Sequence, residues 1–298
     1  MHSVTFSGVS FYRGETAIID NISLTIPTGS IFGVLGKNGS GKSTVLKLIT
    51  GLLFPTSGTI SIKGVELTAD THSQVCNFVG SLIEDSSLYH NLTAYEMISW
   101  ANTMSGNNLA KHQLDCILQK VGLTNIDDTV PIKMYSTGMK QKVGLALALL
   151  RQPSIIILDE PFNGLDVNSV NDMTELIKSL NKNEGITFII VSHILGKLHN
   201  LIDSFCIIHK KSIVYSGSSS NLSHCHMQIV AIQDSDKSEK ILFAYSYSYL
   251  TNNRYLILFN DNSERQSFIN TLDVSTVLVE NYEGITIEDY FIHKTFHE

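Results

Sequence analysis

"IFGVLGKNGSGKST", residues 31–44, passes from one kind of sequence to another within fourteen positions. Its first five residues are continuously apolar, the pattern of a strand buried on both faces of a largely parallel sheet. The next nine fit Gly-x-x-x-x-Gly-Lys-Ser/Thr, and "STVLKLITGL" (43–52) then has helical apolar spacing. A strand, a glycine-rich turn and a helix N-terminus in that order form a phosphate cradle. Gly36, Gly39 and Gly41 let the backbone wrap around the β- and γ-phosphates, and the first N–H groups of the helix add partial positive charge. Lys42 supplies a cation to the β/γ oxygens and Ser43 a hydroxyl for Mg²⁺, with Asn38, Ser40 and Thr44 in the same nucleotide-contacting loop.

A second constellation, "IIILDEP" (155–161), ends another apolar run with two acids. Beside a phosphate cradle, Asp159 can hold Mg²⁺ and Glu160 can polarise the attacking water. "ITFIIVS" (186–192) is a third buried strand of the same kind. Between the first two strands lies a helix-rich insert, about residues 84–152. In it "TAYE" (93–96) has the Thr-x-x-Glu spacing of a capping box, opening a helix that contains Met97, Ile98 and Trp100. Two further helices read from "LAKHQLDCILQK" (109–120), stopped by Gly122, and "TGMKQKVGLALALL" (137–150), stopped ahead of Pro153.

The serine run in "YSGSSSNLS" (215–223) reads as a linker, which divides the chain into 1–217 and a smaller accessory domain over 218–298. Beyond it "MQIVAI" (227–232), "ILFAYSY" (241–247) and "RYLILF" (254–259) read as strands, and "SERQSFINTL" (263–272) and "TIEDYFIHKT" (286–295) as helices: an α+β module. Tyr245, Tyr247 and Tyr249 alternate onto one strand face, an arrangement read as packing, with a contact surface for a partner as the alternative.

At 298 residues with 43% apolar composition the chain can fill two cores. A net charge of -7 argues against broad binding to nucleic acid, which needs many Lys and Arg on phosphates. Met1–Phe6 lacks the basic and apolar pattern of a secretion signal, and no later stretch approaches about 20 apolar residues, so the chain is not expected to cross a membrane. Cys76, Cys116, Cys206 and Cys225 are widely spaced and are expected to be reduced, mostly as small core residues. His224-Cys225-His226-Met227 would place two imidazoles on one face if extended, but no second ligand pair stands at a familiar spacing, which disfavours a metal site there.

Taken in order, these motifs resemble the ATP-binding subunits of ABC transporters over roughly residues 4–217. "YSTGMKQK" (135–142) is similar to the family signature, with Ser136 and Gly138 in the phosphate-contacting places. "NGLD" (163–166) resembles the loop that crosses the dimer interface, where Asp166 would position the opposing subunit, and "VSH" (191–193) resembles the switch histidine. Tyr12 in "SFYRG" (10–14) sits where an aromatic stacks on adenine, with Phe11 as the alternative.

The resemblance implies a P-loop NTPase of the α/β class: a mainly parallel sheet core, an antiparallel edge subdomain and a helical subdomain. It further implies that two ATP lie between the Lys42 loop of one subunit and the Ser136 turn of another. Closure on ATP and reopening on hydrolysis would drive integral membrane permease subunits. Glu160 would be the base, and His193 would hold the γ-phosphate and orient water. One chain carries one set of motifs, so a second ATP-binding subunit is implied, most simply another copy.

One residue departs from the family's pattern. Where the family has Gln, "SLIE" (81–84) ends in Glu84, which keeps oxygen ligands for Mg²⁺ or the lytic water but donates no amide hydrogen bond. Glu at that place, with "LYHNLTAYE" (88–96), Thr137 and Met139 in the signature, and the ending "GITIEDYFIHKT" (284–295), is similar to the bacterial branch that serves lantibiotic immunity and bacitracin resistance. The resemblance implies a peripheral subunit on the cytoplasmic side of the cell membrane, powering export or clearance of such a peptide through the permease. An exporter of another substrate, or a nucleotide-gated clamp that barely hydrolyses ATP, is the alternative; a soluble relative in DNA repair or translation would carry two ATPase sets or long coiled insertions.

Overall fold

A computed structural model describes residues 2–83, 88–124, 129–192, 198, 201–219, 226–232, 246–249, 254–259, 264, 266–268 and 277–280. Contacts divide the chain into two units, Met1–Ser216 and Gly217–Glu298. The first begins with β1 (His2–Arg13), β2 (Thr16–Pro27), β3 (Ile31–Gly36), α1 (Lys42–Ile49), β4 (Ser57–Ile62), β5 (Val65–Glu66), α2 (His72–Phe78) and β6 (Val79–Leu82). It continues through α3 (Ala94–Met104), α4 (Lys111–Lys120), α5 (Thr137–Leu149), β7 (Ile155–Asp159), α6 (Val167–Glu184), β8 (Thr187–Ser192), β9 (Ser204–His209) and β10 (Ser212–Ser218).

Two sheets share this unit's core. β2-β1-β4-β5 is antiparallel. In β2, buried Ile22, Leu24 and Ile26 alternate with exposed Asn21, Ser23 and Thr25, so one face meets the core and the other meets water. The larger sheet runs β10-β9-β3-β8-β7-β6, with β3 parallel to both β8 and β9 and β7 parallel to both β6 and β8. Every residue of β3 and β8 is buried, which is why both read as unbroken apolar runs. The C-terminal ends of β3, β7 and β8 point the same way, the edge of an open α/β sheet at which ligands bind.

The helical insert follows its signals. Thr93 Oγ1 accepts from Glu96 N at 3.2 Å and Glu96 Oε2 accepts from Thr93 N at 2.9 Å, the reciprocal capping box. Met97 and Ile98 are buried, whereas Trp100 is 43% exposed, its ring meeting Tyr89 edge-on at 4.9 Å between centroids. α5 runs close under β6. A Cβ on Gly80 would lie 2.3 Å from Ala148 O, and one on Gly144 would lie 2.3 Å from Leu82 Cδ1, so both glycines are dictated by the approach of helix to strand.

Three readings change. Tyr215–Ser218, taken from its serines as linker, continues β10, because the Tyr215 ring packs on Phe205 at 5.0 Å and gives the segment an apolar anchor. Of the three described cysteines only Cys206 is fully buried; Cys76 is half-buried and Cys116 is exposed. Burial in β9 pushes the Cys206 thiol up to about 12. The 18-residue α6, not anticipated, rises directly from the "NGLD" loop.

The β9–β10 connection is Lys210-Lys211, with φ +42° and +75°. Two-residue hairpins need positive φ at both positions, and lysine adopts it at a steric cost that glycine avoids. Lys211→Gly keeps the carbonyl that accepts from Asp20 N at 3.0 Å. It is expected to raise stability by about 1 kcal/mol, read as a higher denaturant midpoint at unchanged slope.

The second unit contains β11 (His226–Ile232), β12 (Ser246–Tyr249), β13 (Arg254–Phe259) and β14 (Val277–Glu280) in the order β12-β13-β11-β14, antiparallel throughout. Glu264 and Gln266–Phe268 are helical, and Phe268 packs on Phe259 at 5.2 Å. Tyr247 stands opposite Ile257 and Tyr249 opposite Tyr255. His226 opens β11 opposite Phe259. Tyr245, His224, Cys225 and the proposed helix 286–295 lie outside the described residues.

Candidate active site

The site forms where β3 turns into α1. Gly39 and Gly41 have φ +80° and +109°, and a Cβ at Gly41 would stand 3.2 Å from Ile18 O. The left-handed turn at Gly41, the N-cap of α1, brings the loop back over the helix, with Val45 N bonding Gly41 O at 3.0 Å. Gly36 lies beneath: a Cβ there would meet Ser40 Oγ at 2.3 Å and Ile208 O at 2.7 Å. The amides at the start of α1, Lys42 to Thr44, have no intrahelical acceptor and face outward.

A cleft of about 570 Å³ opens over this turn, lined by Asn38, Gly39, Gly41, Lys42, Ser43 and Thr44 on one side. Asp159, Glu160, Asn163, Gln141 and Ile18 line the remainder. Lys42 is only 8% exposed, and its ammonium donates to Gly36 O at 2.7 Å and Lys37 O at 3.0 Å. Burial pulls its pKa below the ordinary lysine range, and the negative charges of Glu160 and Asp159 oppose that shift. A cation held near two carboxylates at the mouth of a helix N-terminus is a receptacle for a polyanion.

Asp159 ends β7 opposite Val191 of β8. The chain then turns at Glu160, whose φ is +50°; its N–H donates to Val191 O at 2.9 Å and its carbonyl accepts from Asn163 N at 3.0 Å. These two bonds hold the Glu160 backbone in a region that residues with a Cβ rarely adopt, at the lip of the cleft.

Three residues assigned to nucleotide contact are not among those that line the cleft of their own chain. Ser136 is exposed and caps α5, accepting from Met139 N at 3.2 Å. Gly138 lies against α6, where a Cβ would come within 3.1 Å of Ser169 Oγ. Asp166 caps α6 by accepting from Ser169 N at 2.7 Å, a bond that holds its carboxyl below the usual range. The signature turn and the start of α6 are therefore packed as one piece.

Tyr12 is 39% exposed near the end of β1, its N–H donating to Thr56 Oγ1 at 3.1 Å. The residue of the β1–β2 hairpin that lines the cleft is Ile18. Sequence reasoning missed Ile18, Gln141 and Asn163; Asn163, inside the quoted "NGLD", was within reach. Glu84 and His193 lie outside the described residues.

A second cleft of about 500 Å³ lies between the core and the helical insert, lined by Leu52, Cys76, Met97, Trp100, Leu147 and Arg151 among others. Arg151 spans it, donating to Ser105 O at 3.2 Å and Asn77 Oδ1 at 3.4 Å.

The profile of the ABC transporter family matches residues 19–163. The chain is 40% identical over 209 residues to the lantibiotic transport ATP-binding protein SrtF of Streptococcus pyogenes, covering 69% of this chain and 88% of that one. It is 32% identical over 286 residues to the bacitracin transport ATP-binding protein BcrA of Bacillus licheniformis, covering 94% and 92%. Among solved structures, the dimeric bacterial ABC transporter cassette MJ0796 superposes with a TM-score of 0.64 at 23% identity, over 72% of this chain and 98% of that one. The strand–loop–helix cradle, the paired acids after β7 and these likenesses converge: the chain belongs to the ABC transporter family, as an ATP-binding subunit that hydrolyses ATP to drive transport.

Proposed function

We propose that this subunit powers export or membrane clearance of a lantibiotic-like antimicrobial peptide, giving its host self-immunity or resistance. The observation that carries the substrate class is the 40% identity to SrtF, a lantibiotic transport protein, joined by the likeness to BcrA along nearly the whole chain. Among the described residues no helix is long and apolar enough to cross a membrane, so the peptide's path is assigned to separate permease subunits. The chain works at the cytoplasmic face of the membrane, and the groove with exposed Leu52 and Trp100 is assigned to those subunits.

Two copies act together. Ser136 and Gly138 are not among the residues that line their own chain's cleft, so a second copy is the natural source of the ATP they contact, as in a cassette that is itself a dimer. Within each cleft the Gly39–Gly41 turn and the α1 amides hold the phosphates, and Lys42 shifts from loop carbonyls to phosphate oxygens. Glu160 accepts the proton of the attacking water, with His193 orienting that water against the γ-phosphate. Ile18, or Tyr12 if the hairpin closes, packs on the base.

The donor set suits Mg²⁺: the Ser43 hydroxyl and the Asp159 carboxylate are hard oxygen donors on one cleft, and Glu84 is assigned as a third. When bound there the ion would neutralise charge on the β/γ-phosphates.

Peptide susceptibility tests the proposal. The gene is deleted in its host and restored as wild type or as Glu160→Gln, and inhibitory concentrations are measured for lantibiotics, bacitracin and unrelated drugs. Hypersensitivity confined to peptides of this class and rescued only by wild type is the expected result; unchanged susceptibility to all of them overturns the substrate assignment and leaves the ATPase.

A further inference from the structure

Gln141 is a polar residue 7% exposed, and it lines the phosphate cleft beside Asp159 and Glu160. It belongs to α5, the helix that Ser136 caps. Five residues separate them, about 7.5 Å of helix rise, so one helix offers an exposed turn at its start and reaches into its own chain's cleft little more than one turn later.

α5 has little freedom to shift on its support. Val143, Gly144, Leu145 and Ala146 are buried, and the two close glycine approaches at Gly80 and Gly144 seat the helix directly on β6. Its first two turns are tied to α6 through Gly138 against Ser169 and through Lys142, whose ammonium lies 3.9 Å from Asp172. A displacement of Gln141 is thus delivered to Ser136 and Gly138 as a movement of the whole turn.

We propose that Gln141 is a positioning residue that couples the two ATP sites: phosphate in a chain's own cleft engages Gln141 and sets the placement of the signature turn that this chain presents to the ATP of the second copy. The inference rests on the two-copy reading above. Each α5 then touches both sites of the dimer, one through Gln141 and the other through Ser136, and ATP in one cleft prepares the opposite one.

The test compares wild type with Gln141→Met, which keeps length, volume and helix propensity while removing both hydrogen-bonding functions. ATP turnover is followed against ATP concentration in the full-length protein, with the thermal midpoint as a check on folding and nucleotide affinity of the isolated chain measured at low protein concentration. Wild type is expected to show a Hill coefficient approaching about 2, the number of sites. In Gln141→Met the coefficient falls to about 1 and kcat falls about tenfold, while single-chain affinity falls by no more than the loss of one hydrogen bond, about tenfold. A purely structural glutamine would lower the midpoint and leave the Hill coefficient alone, and that outcome overturns the proposal. Should Gln141→Met fold poorly, Gln141→Ala is read the same way. A wild-type coefficient near 1, or a cooperative wild type with an equally cooperative Gln141→Met, refutes the coupling; a Glu160→Gln chain that keeps the mass of a single copy in saturating ATP refutes the two-copy reading itself.

Discussion

Glu160→Gln is expected to lower ATP turnover by about two to four orders of magnitude while leaving ATP affinity within a few-fold. The amide has the same volume and reach as the carboxylate, so the Glu160 turn, with its bonds to Val191 O and from Asn163 N, remains formed. On the role proposed for Glu160, what is lost is a base able to take the proton of the attacking water. Because binding and closure survive while hydrolysis does not, ATP should trap two chains together, and a doubled mass on ATP addition, stable for many wild-type turnover times, is the companion signature. Turnover within threefold of wild type would move the base to another residue.

The second large effect is at Lys42. The Lys42 residue is only 8% exposed, and its ammonium, at the wall of the cleft, is already held by the Gly36 and Lys37 carbonyls. In the phosphate-binding role proposed for it, it would shed part of its water before the nucleotide arrives. Lys42→Met keeps the aliphatic stem and removes the charge-assisted hydrogen bonds, worth about 3 kcal/mol, so ATP affinity should fall about a hundredfold. Lys42→Arg is not expected to rescue it. The planar guanidinium is larger than the compact ammonium that fits beneath a turn in which even a methyl on Gly36 would collide with Ser40 Oγ. Fluorescent-nucleotide titration at low protein concentration separates these affinities from dimer formation; a wild-type-like affinity in Lys42→Met would remove the lysine from the phosphate site.

The cradle could be read from sequence because its demands are local: a buried strand, glycines at fixed offsets and a helix within fourteen residues. The same holds for the Thr93 capping box and for the ends of α4 and α5. Ile18 and Gln141 were not legible for the opposite reason. Ile18 reaches the cleft only because the β1–β2 hairpin folds onto Gly41, and Gln141 only because α5 presents that face beside β7, about a hundred residues after the loop it meets. Neither relation leaves a spacing in the chain. Asp166 illustrates a third kind of gap. Its place in "NGLD" suggested a role across an interface, while its carboxylate also has work within the chain, capping α6 on Ser169 N. The serines at 216 and 218 misled because composition there mimics a linker, and the anchor that makes a strand of it, Tyr215 on Phe205, is a contact between β9 and β10.

The positive φ of Glu160 has a bearing on how this subunit can evolve. A left-handed backbone at a residue with a side chain gives up about 1 kcal/mol that glycine at the same point would recover. On the catalytic role proposed for Glu160, mutation toward a sturdier fold and mutation toward a dead ATPase coincide at this codon. A library screened for thermal tolerance alone should drift toward inactive chains at position 160, whereas selection by peptide challenge should hold the acid in place and push compensating gains elsewhere, beginning with the equally strained Lys210-Lys211 turn.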